Sequence, residues 1–233
     1  MILAASCLFA SRAWADETSE CWRRFLQDRG GEGPAGEVVA VNFVGQTFRV
    51  PAAYLWRGLP RAALGDQDAI WLMALAPDFA PPTAEQVQGF WRPTSPTLLV
   101  TIFGHPNFLH GQALLDTFVR AYGHRNLDGE RDANGFVVLR ASSLSAANWG
   151  EIHVPPEGPN DLFHCSLNES VPFPSCTARR WMGGRLRLEM NFRKHLIPQY
   201  PVMRAALAAF MRCAVGPQGI PGQVWPPPAQ TNE

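Results

Sequence analysis

Apolar residues recur along this chain at two periods, and the changes of period divide it into elements. Between Glu17 and Asp28, Cys21, Trp22, Phe25 and Leu26 fall on one side of a helix. Gly30, Gly31, Gly33, Pro34 and Gly36 break the chain after it. Two strand-like runs follow, Glu37–Val44 and Gln46–Val50, with Gly45-Gln46 expected as the tight hairpin turn. Pro51 ends the second run, and Tyr54, Leu55 and Trp56 follow as apolar anchors. Asp68–Ala76 is almost continuously apolar, which predicts a buried central strand stopped by Pro77.

Thr83-Ala-Glu-Gln86 has the spacing of a capping box and predicts a short helix through Phe90, closed by Pro93 and Pro96. Thr97–Phe103, Gly135–Ala141 and Trp149–Val154 read as further strands, Ala113–Tyr122 as a helix and Arg125–Asn134 as a polar loop. Asp161–Leu167 and Arg185–Phe192 are the last strand candidates. In the latter, Leu186, Leu188, Met190 and Phe192 alternate with Arg187, Glu189 and Asn191, the period of a half-buried strand. A final helix is expected from about Pro198 to Cys213, with Met203, Leu207, Phe210 and Ala214 as its core stripe; Pro198 and Pro201 suit only its first turn. Strands bracketed by terminal helices predict an α+β fold, with N- and C-terminal helices packed on a mainly antiparallel sheet. The short connections leave little room for the crossovers of a parallel sheet.

The ends change the picture. An uncharged apolar run opens the chain, and Ala13-Trp14-Ala15 then precedes the polar Asp16-Glu17. Small residues at the first and third positions suit signal peptidase, so residues 1–15 are expected to be a signal peptide cleaved after Ala15. A buried N-terminal helix is the plainer alternative, and Cys7 follows only a loose lipobox. Residues 16–215 then form one α+β domain, and 216–233, rich in Pro and Gly, a disordered tail.

The expected location is periplasmic or secreted, in a Gram-negative bacterium. Cysteine usage points the same way. Cys21, Cys165, Cys176 and Cys213 remain after cleavage, an even number that reads as a disulfide framework with three possible connectivities. Cys165–Cys176 and Cys21–Cys213 are preferred. The first pair closes a turn-rich insert, and the second joins the first mature helix to the last. A zinc site is disfavoured because there is no C-x-x-C and the spacings fit no familiar ligand set.

Twenty basic and twenty acidic residues balance. That gives no electrostatic reason to expect nucleic acid or an anionic membrane as partner, and no later segment is apolar enough to span a bilayer. Catalytic motifs are absent: no G-x-S-x-G, H-E-x-x-H, P-loop or G-x-G-x-x-G. No cofactor is expected. The densest histidine stretch, His105 to His110 with His124 beyond and Asp116 between, could serve a hydrolase or a metal-dependent enzyme if loops folded it together. A triad could also be drawn from a serine, His105 or His164, and Asp116 or Asp161, although His164 beside Cys165 in a strand reads as structural.

Arg179, Arg180 and Trp181, then Arg185 and Arg187, form a basic and aromatic patch. The alternation suggests arginines on the solvent face of a hairpin turning at Gly183-Gly184. The same composition suits a protein-binding surface, for which Trp181, Arg179 and Arg185 are the candidates. The function expected is a non-enzymatic binding protein with a protein partner, of an inhibitor or immunity type.

Gly45-Gln-Thr-Phe-Arg-Val-Pro-Ala-Ala-Tyr-Leu55, then Asp66-Gln-Asp-Ala-Ile-Trp-Leu and Pro77-Asp-Phe, resembles a signature of small exported proteobacterial proteins. In that family a G-x-x-F-x-I/V-P-x-N-Y-L run precedes an acidic segment and an apolar strand ending in Pro-Asp. Cys165, Cys176, the alternating strand and the terminal amphipathic helix are similar too. Ala53 stands where the family pattern has Asn. The resemblance implies export but brings no catalytic residue, cofactor or substrate.

Overall fold

A computed structural model describes residues 18–29, 36–56, 69–104, 108–126, 129–142, 150–167, 171, 173–216 and 219. The expected signal peptide and nearly all of the expected tail lie outside the described residues.

Seven strands form one antiparallel sheet in the order β3-β4-β9-β8-β7-β6-β5. They are β3 (Ala69–Leu75), β4 (Thr97–Gly104), β5 (Val137–Arg140), β6 (Glu151–Val154), β7 (Phe163–Cys165), β8 (Ser175–Gly183) and β9 (Leu186–Arg193). The chain lays down β3 and β4, crosses to the far edge, and returns strand by strand until β9 pairs with β4. A separate hairpin, β1 (Val38–Phe43) and β2 (Gln46–Pro51), and the helices α1 (residues 18–27) and α4 (Tyr200–Val215) share one hydrophobic core with the inner face. Two further helices are α2 (Ala84–Gln88) and α3 (Gly111–Tyr122). The expected α+β class, antiparallel sheet and packed terminal helices are all present.

Alternation sets the two faces. Leu98, Val100 and Ile102 of β4, with Leu188, Met190 and Phe192 of β9, are all buried on the inner face. Phe210 of α4 lies at the centre of an aromatic cluster, with ring centroids 4.9 Å from Trp22, 4.8 Å from Tyr54 and 5.0 Å from Phe79. Each such ring brings a large buried area and favours the edge-on geometry seen between Phe210 and Trp22. Met203, Leu207, Phe210 and Ala214 are all buried, as the stripe predicts. Cys21–Cys213 ties α1 to α4, and Cys165–Cys176 links directly opposed residues of β7 and β8.

On the outer face, among the described residues, one end is roofed. There α3 lays Leu114 and Phe118 over Ile152 and Leu162. The Thr83 capping box forms as its spacing requires, and Thr97 Oγ1 donates to the Gln86 carbonyl, fixing α2 at the start of β4.

Four expectations need correction. The first hairpin turns at Val44-Gly45, one residue early, with φ of 50° and 76°. Two positive φ values give the twist a two-residue hairpin needs. The apolar run at 68–76 is an edge strand rather than a central one, and Leu55 and Trp56 pair with part of its free edge through backbone contacts to Leu72 and Trp71. β8 runs from Ser175 to Gly183 and turns at Gly184-Arg185, with a register shift between Trp181 and Gly183. Arg180 does not share the solvent face, because it alternates in phase with buried Cys176 and Ala178 and points inward. A glycine explains how closely the hairpin docks: a Cβ on Gly104 would sit 2.3 Å from Val44 Cγ2.

Candidate functional site

Between the roof of α3 and the Phe90–Trp91 segment after α2, no described element covers the outer face of β4, β9 and β8. Strand register builds its floor in rows. Phe103, Arg187 and Trp181 make one row, Thr101, Glu189 and Arg179 the next, and Leu99, Asn191 and Thr177 a third. Trp71 of β3 extends the second row. Period-two alternation therefore places aromatic, arginine and amide side chains on one surface although they come from distant parts of the chain.

These side chains hold each other in place. Arg187 lies over the rings of Phe103 and Phe108, its Cζ 4.8 and 5.6 Å from the centroids. Arg179 Nε is 2.9 Å and Arg187 Nη2 3.4 Å from the same oxygen, Oε1 of Glu189. Trp181 stacks on His110 at 4.5 Å. Thr177 donates to Asn191 across the strands at 2.7 Å.

Two clefts open into this floor and share Ser175. One of about 300 Å³ is lined by His164, Ser166, Phe173, Thr177, Arg179 and Glu189. The other, of about 230 Å³, lies among Phe90, Trp91, Leu99, Asn191 and Arg193. Large apolar side chains are exposed around the same face: Trp91 at 68%, Phe173 at 42% and Trp71 at 39%. Apolar side chains exposed beside arginines have the composition common in protein interfaces.

A second polar cluster lies on the inner side, at the β5–β6 end. His153 Nδ1 is 2.8 Å from Asp132 Oδ2, its Nε2 is 3.6 Å from Glu151 Oε2, and Lys194 Nζ is 2.6 Å from that same Glu151 oxygen. Arg140 bridges Glu151 and Glu130. Burial alone would depress the His153 pKa, but the Asp132 hydrogen bond and the Glu151 carboxylate outweigh it and raise the value. Burial works against Glu151 as well, yet His153, Lys194 and Arg140 hold its pKa at about 2. A cleft of about 450 Å³ opens beside these groups. Glu151, His153 and Cys165 come together closely enough to suggest a metal, but Cys165 is committed to its disulfide with Cys176. Sequence reasoning missed this cluster. Its one local signal was Glu151 and His153 alternating with Ile152 and Val154, a pattern that ordinarily means a wet strand face.

A third buried group is Arg180. It pairs with Asp161, which also pairs with Arg204, and it meets the Tyr200 hydroxyl. Burial lowers its pKa to about 10 against the opposing pull of Asp161.

Of the predicted surface residues, Trp181 and Arg179 fall on the open floor, and Arg185 is exposed in the turn at its end. The histidine reading fares differently. His110 and His124 lie at opposite ends of α3, whose 12 residues span about 18 Å, too far to share an ion. His105 lies outside the described residues. Burial, with Arg179 adding to it, drives the His164 pKa well down, so the ring is neutral. Asp116 bonds to Gln112, and Asp161 is occupied by its arginines.

The sequence matches no protein-family profile and no curated protein, so the resemblance to small exported proteobacterial proteins stands on its quoted motifs. Two solved structures are similar. One is Smlt3025, an immunity protein of the Stenotrophomonas maltophilia type IV secretion system, at 13% identity and a TM-score of 0.44, covering 73% of this chain and 90% of that one. The other is FrpD, an iron-regulated outer membrane lipoprotein of Neisseria meningitidis, at 10% identity and a TM-score of 0.48, covering 77% of this chain and 92% of that one.

Proposed function

We propose that this is an exported, non-enzymatic binding protein of an inhibitor or immunity type, which engages another protein through the open outer face of its sheet. The carrying observation is that face itself. Its floor of Trp181, Arg187, Phe103 and Asn191 is preorganised by cross-strand contacts and rimmed by exposed Trp91, Trp71 and Phe173. Rigid aromatic and arginine anchors contribute most of the energy in protein interfaces. Two disulfides favour an oxidising compartment, periplasmic or secreted. Among the described residues no helix is long and apolar enough to cross a membrane.

A photocrosslinking amino acid tests the face directly. Placed at Asn191 on the floor, it should give one defined protein adduct in cells of the source organism. Placed at Val202, exposed on α4, it should give none. Adducts at both positions or at neither would overturn the reading. Export is checked on the same preparation by N-terminal sequencing, which should begin at Asp16.

A further inference from the structure

Arg193 is the last residue of β9 and lies on the outer face, 6% exposed. Its guanidinium lies near two rings, with Cζ 5.3 Å from the Phe90 centroid and 5.7 Å from that of Phe173. Nη2 donates to the Phe90 carbonyl at 2.5 Å, while Nε is buried without a hydrogen-bond partner among the described residues. No described carboxylate pairs with it. Arg180, also buried, shows the contrast, since Asp161 answers its charge. A charge taken from water and left unanswered is costly, and a carboxylate brought in by a ligand would relieve that cost.

The surroundings fit an acidic ligand. Arg193 lines the 230 Å³ cleft together with Phe90, Trp91 and Leu99, which offer an apolar seat beside the cation. Six residues along the same strand, about 20 Å away, Arg187 shares one Glu189 oxygen with Arg179. Arg185 is exposed just beyond. Floor and turn thus set four arginines, Arg179, Arg185, Arg187 and Arg193, against Glu189. Among the described residues, a chain that is neutral overall therefore carries a basic stripe along this floor and turn.

We propose that the Arg193 cleft receives an Asp or Glu side chain of the partner protein, flanked in the partner by an aromatic or aliphatic side chain that seats on Phe90 and Trp91. This rests on the protein-binding reading above and names the partner's chemistry. The buried carboxylate would complete the charge of Arg193, and the wider arginine stripe would steer an acidic surface onto the face.

An array of random peptides, C-terminally amidated so that only side chains offer carboxylates, is the test. The oxidised full chain should select peptides with Asp or Glu beside Trp, Phe or Leu. Binding should fall at least tenfold when that Asp or Glu becomes Asn or Gln in the peptide, and similarly for Arg193→Gln. The peptide-side change needs no folded variant, so the proposal stays testable if Arg193→Gln does not fold. Peptides that bind without an acidic residue, and are lost in Asn191→Arg on the floor, would overturn the carboxylate proposal and leave the face standing. Selection only from a parallel array with free C-termini would also overturn it, assigning the cleft to a chain end. If Asn191→Arg removed no selected peptide, the cleft and the binding face would fall together.

Discussion

His153 and Asp132 form a buried hydrogen-bonded pair, Nδ1 to Oδ2 at 2.8 Å, with the imidazole stacked on Phe163 at 4.5 Å. The histidine belongs to β6, whereas Asp132 lies in the segment before β5. Its Oδ1 accepts from the amides of Asn134 and Phe136, and Asn134 in turn donates to the Ile197 carbonyl. The pair thus fastens that segment to the sheet and to the approach of α4.

Its pH dependence has a definite sign. The folded His153 pKa is raised above the ordinary 6.5, so its contribution is complete below about 6.5 and lost as pH rises through the folded value. Asp132 and Glu151 are lowered despite their burial, so theirs is complete above about 4.5 and lost as pH falls, toward about 2 for Glu151. Thermal stability should peak between about 4.5 and 6.5. His153→Gln should flatten the alkaline limb and also shrink the acid limb, because His153 helps hold the Asp132 and Glu151 pKa values down. Unfolding midpoints measured from pH 3 to 9 with the disulfides oxidised check this, and an unchanged alkaline limb in the variant would refute it.

Asp161 answers two arginines, one of them wholly enclosed. Asp161→Asn should therefore destabilise by about 3–5 kcal/mol, because Arg180 stays buried and charged. Removing both partners, as in Asp161→Leu with Arg180→Met, should restore much of that loss, since Arg204 is 38% exposed and can turn to water. Denaturant unfolding of the single and double variants separates the two outcomes. Equal losses would show that the pair is not the reason for the cost.

The disulfides close loops of very different size, with separations of 192 residues for Cys21–Cys213 and 11 for Cys165–Cys176. Loop entropy puts their contributions at about 5 and about 3 kcal/mol. Access differs in the same direction. Cys165 and Cys176 are 0% exposed, while Cys21 is only partly buried. Under native conditions dithiothreitol should open Cys21–Cys213 first, and Cys165–Cys176 should open only on unfolding. Timed alkylation followed by peptide mapping gives the order.

Features that depend on near neighbours were legible in the sequence. The Thr83–Gln86 cap, the alternation from Leu186 to Phe192 and the stripe from Met203 to Ala214 each follow from one residue's relation to the next few. Position in the sheet was not legible. The run at 68–76 is apolar enough for a central strand, yet the crossover after β4 puts β9 beside it and leaves β3 at the edge. Arg180 looked wet because its neighbours are Arg179 and Trp181, but strand parity with Cys176 decides its face. The Asp132–Glu151–His153–Lys194 cluster joins three separate segments, and no local pattern encodes such a meeting. The open face was half legible. Trp181, Arg179 and Arg185 marked it, while Phe103, Trp91 and Arg193 joined it only through β4 and β9 pairing.

Two tryptophans separate binding from folding. Trp22 is 0% exposed, sits edge-on to Phe25 and Phe210, and donates its indole N–H to the Arg49 carbonyl at 3.1 Å. Truncating it removes a core ring and orphans a backbone acceptor, so Trp22→Ala should cost about 3–5 kcal/mol. Trp91 is 68% exposed and touches Phe90 edge-on at 4.9 Å. Most of its surface is already in water, so Trp91→Ala should shift stability by no more than about 0.5 kcal/mol. A residue kept so apolar and so exposed contributes little to the fold, which is what an anchor for a partner requires. The paired measurement is denaturant unfolding of both variants. A loss at Trp91 approaching that at Trp22 would make it a structural residue and remove it from the binding rim.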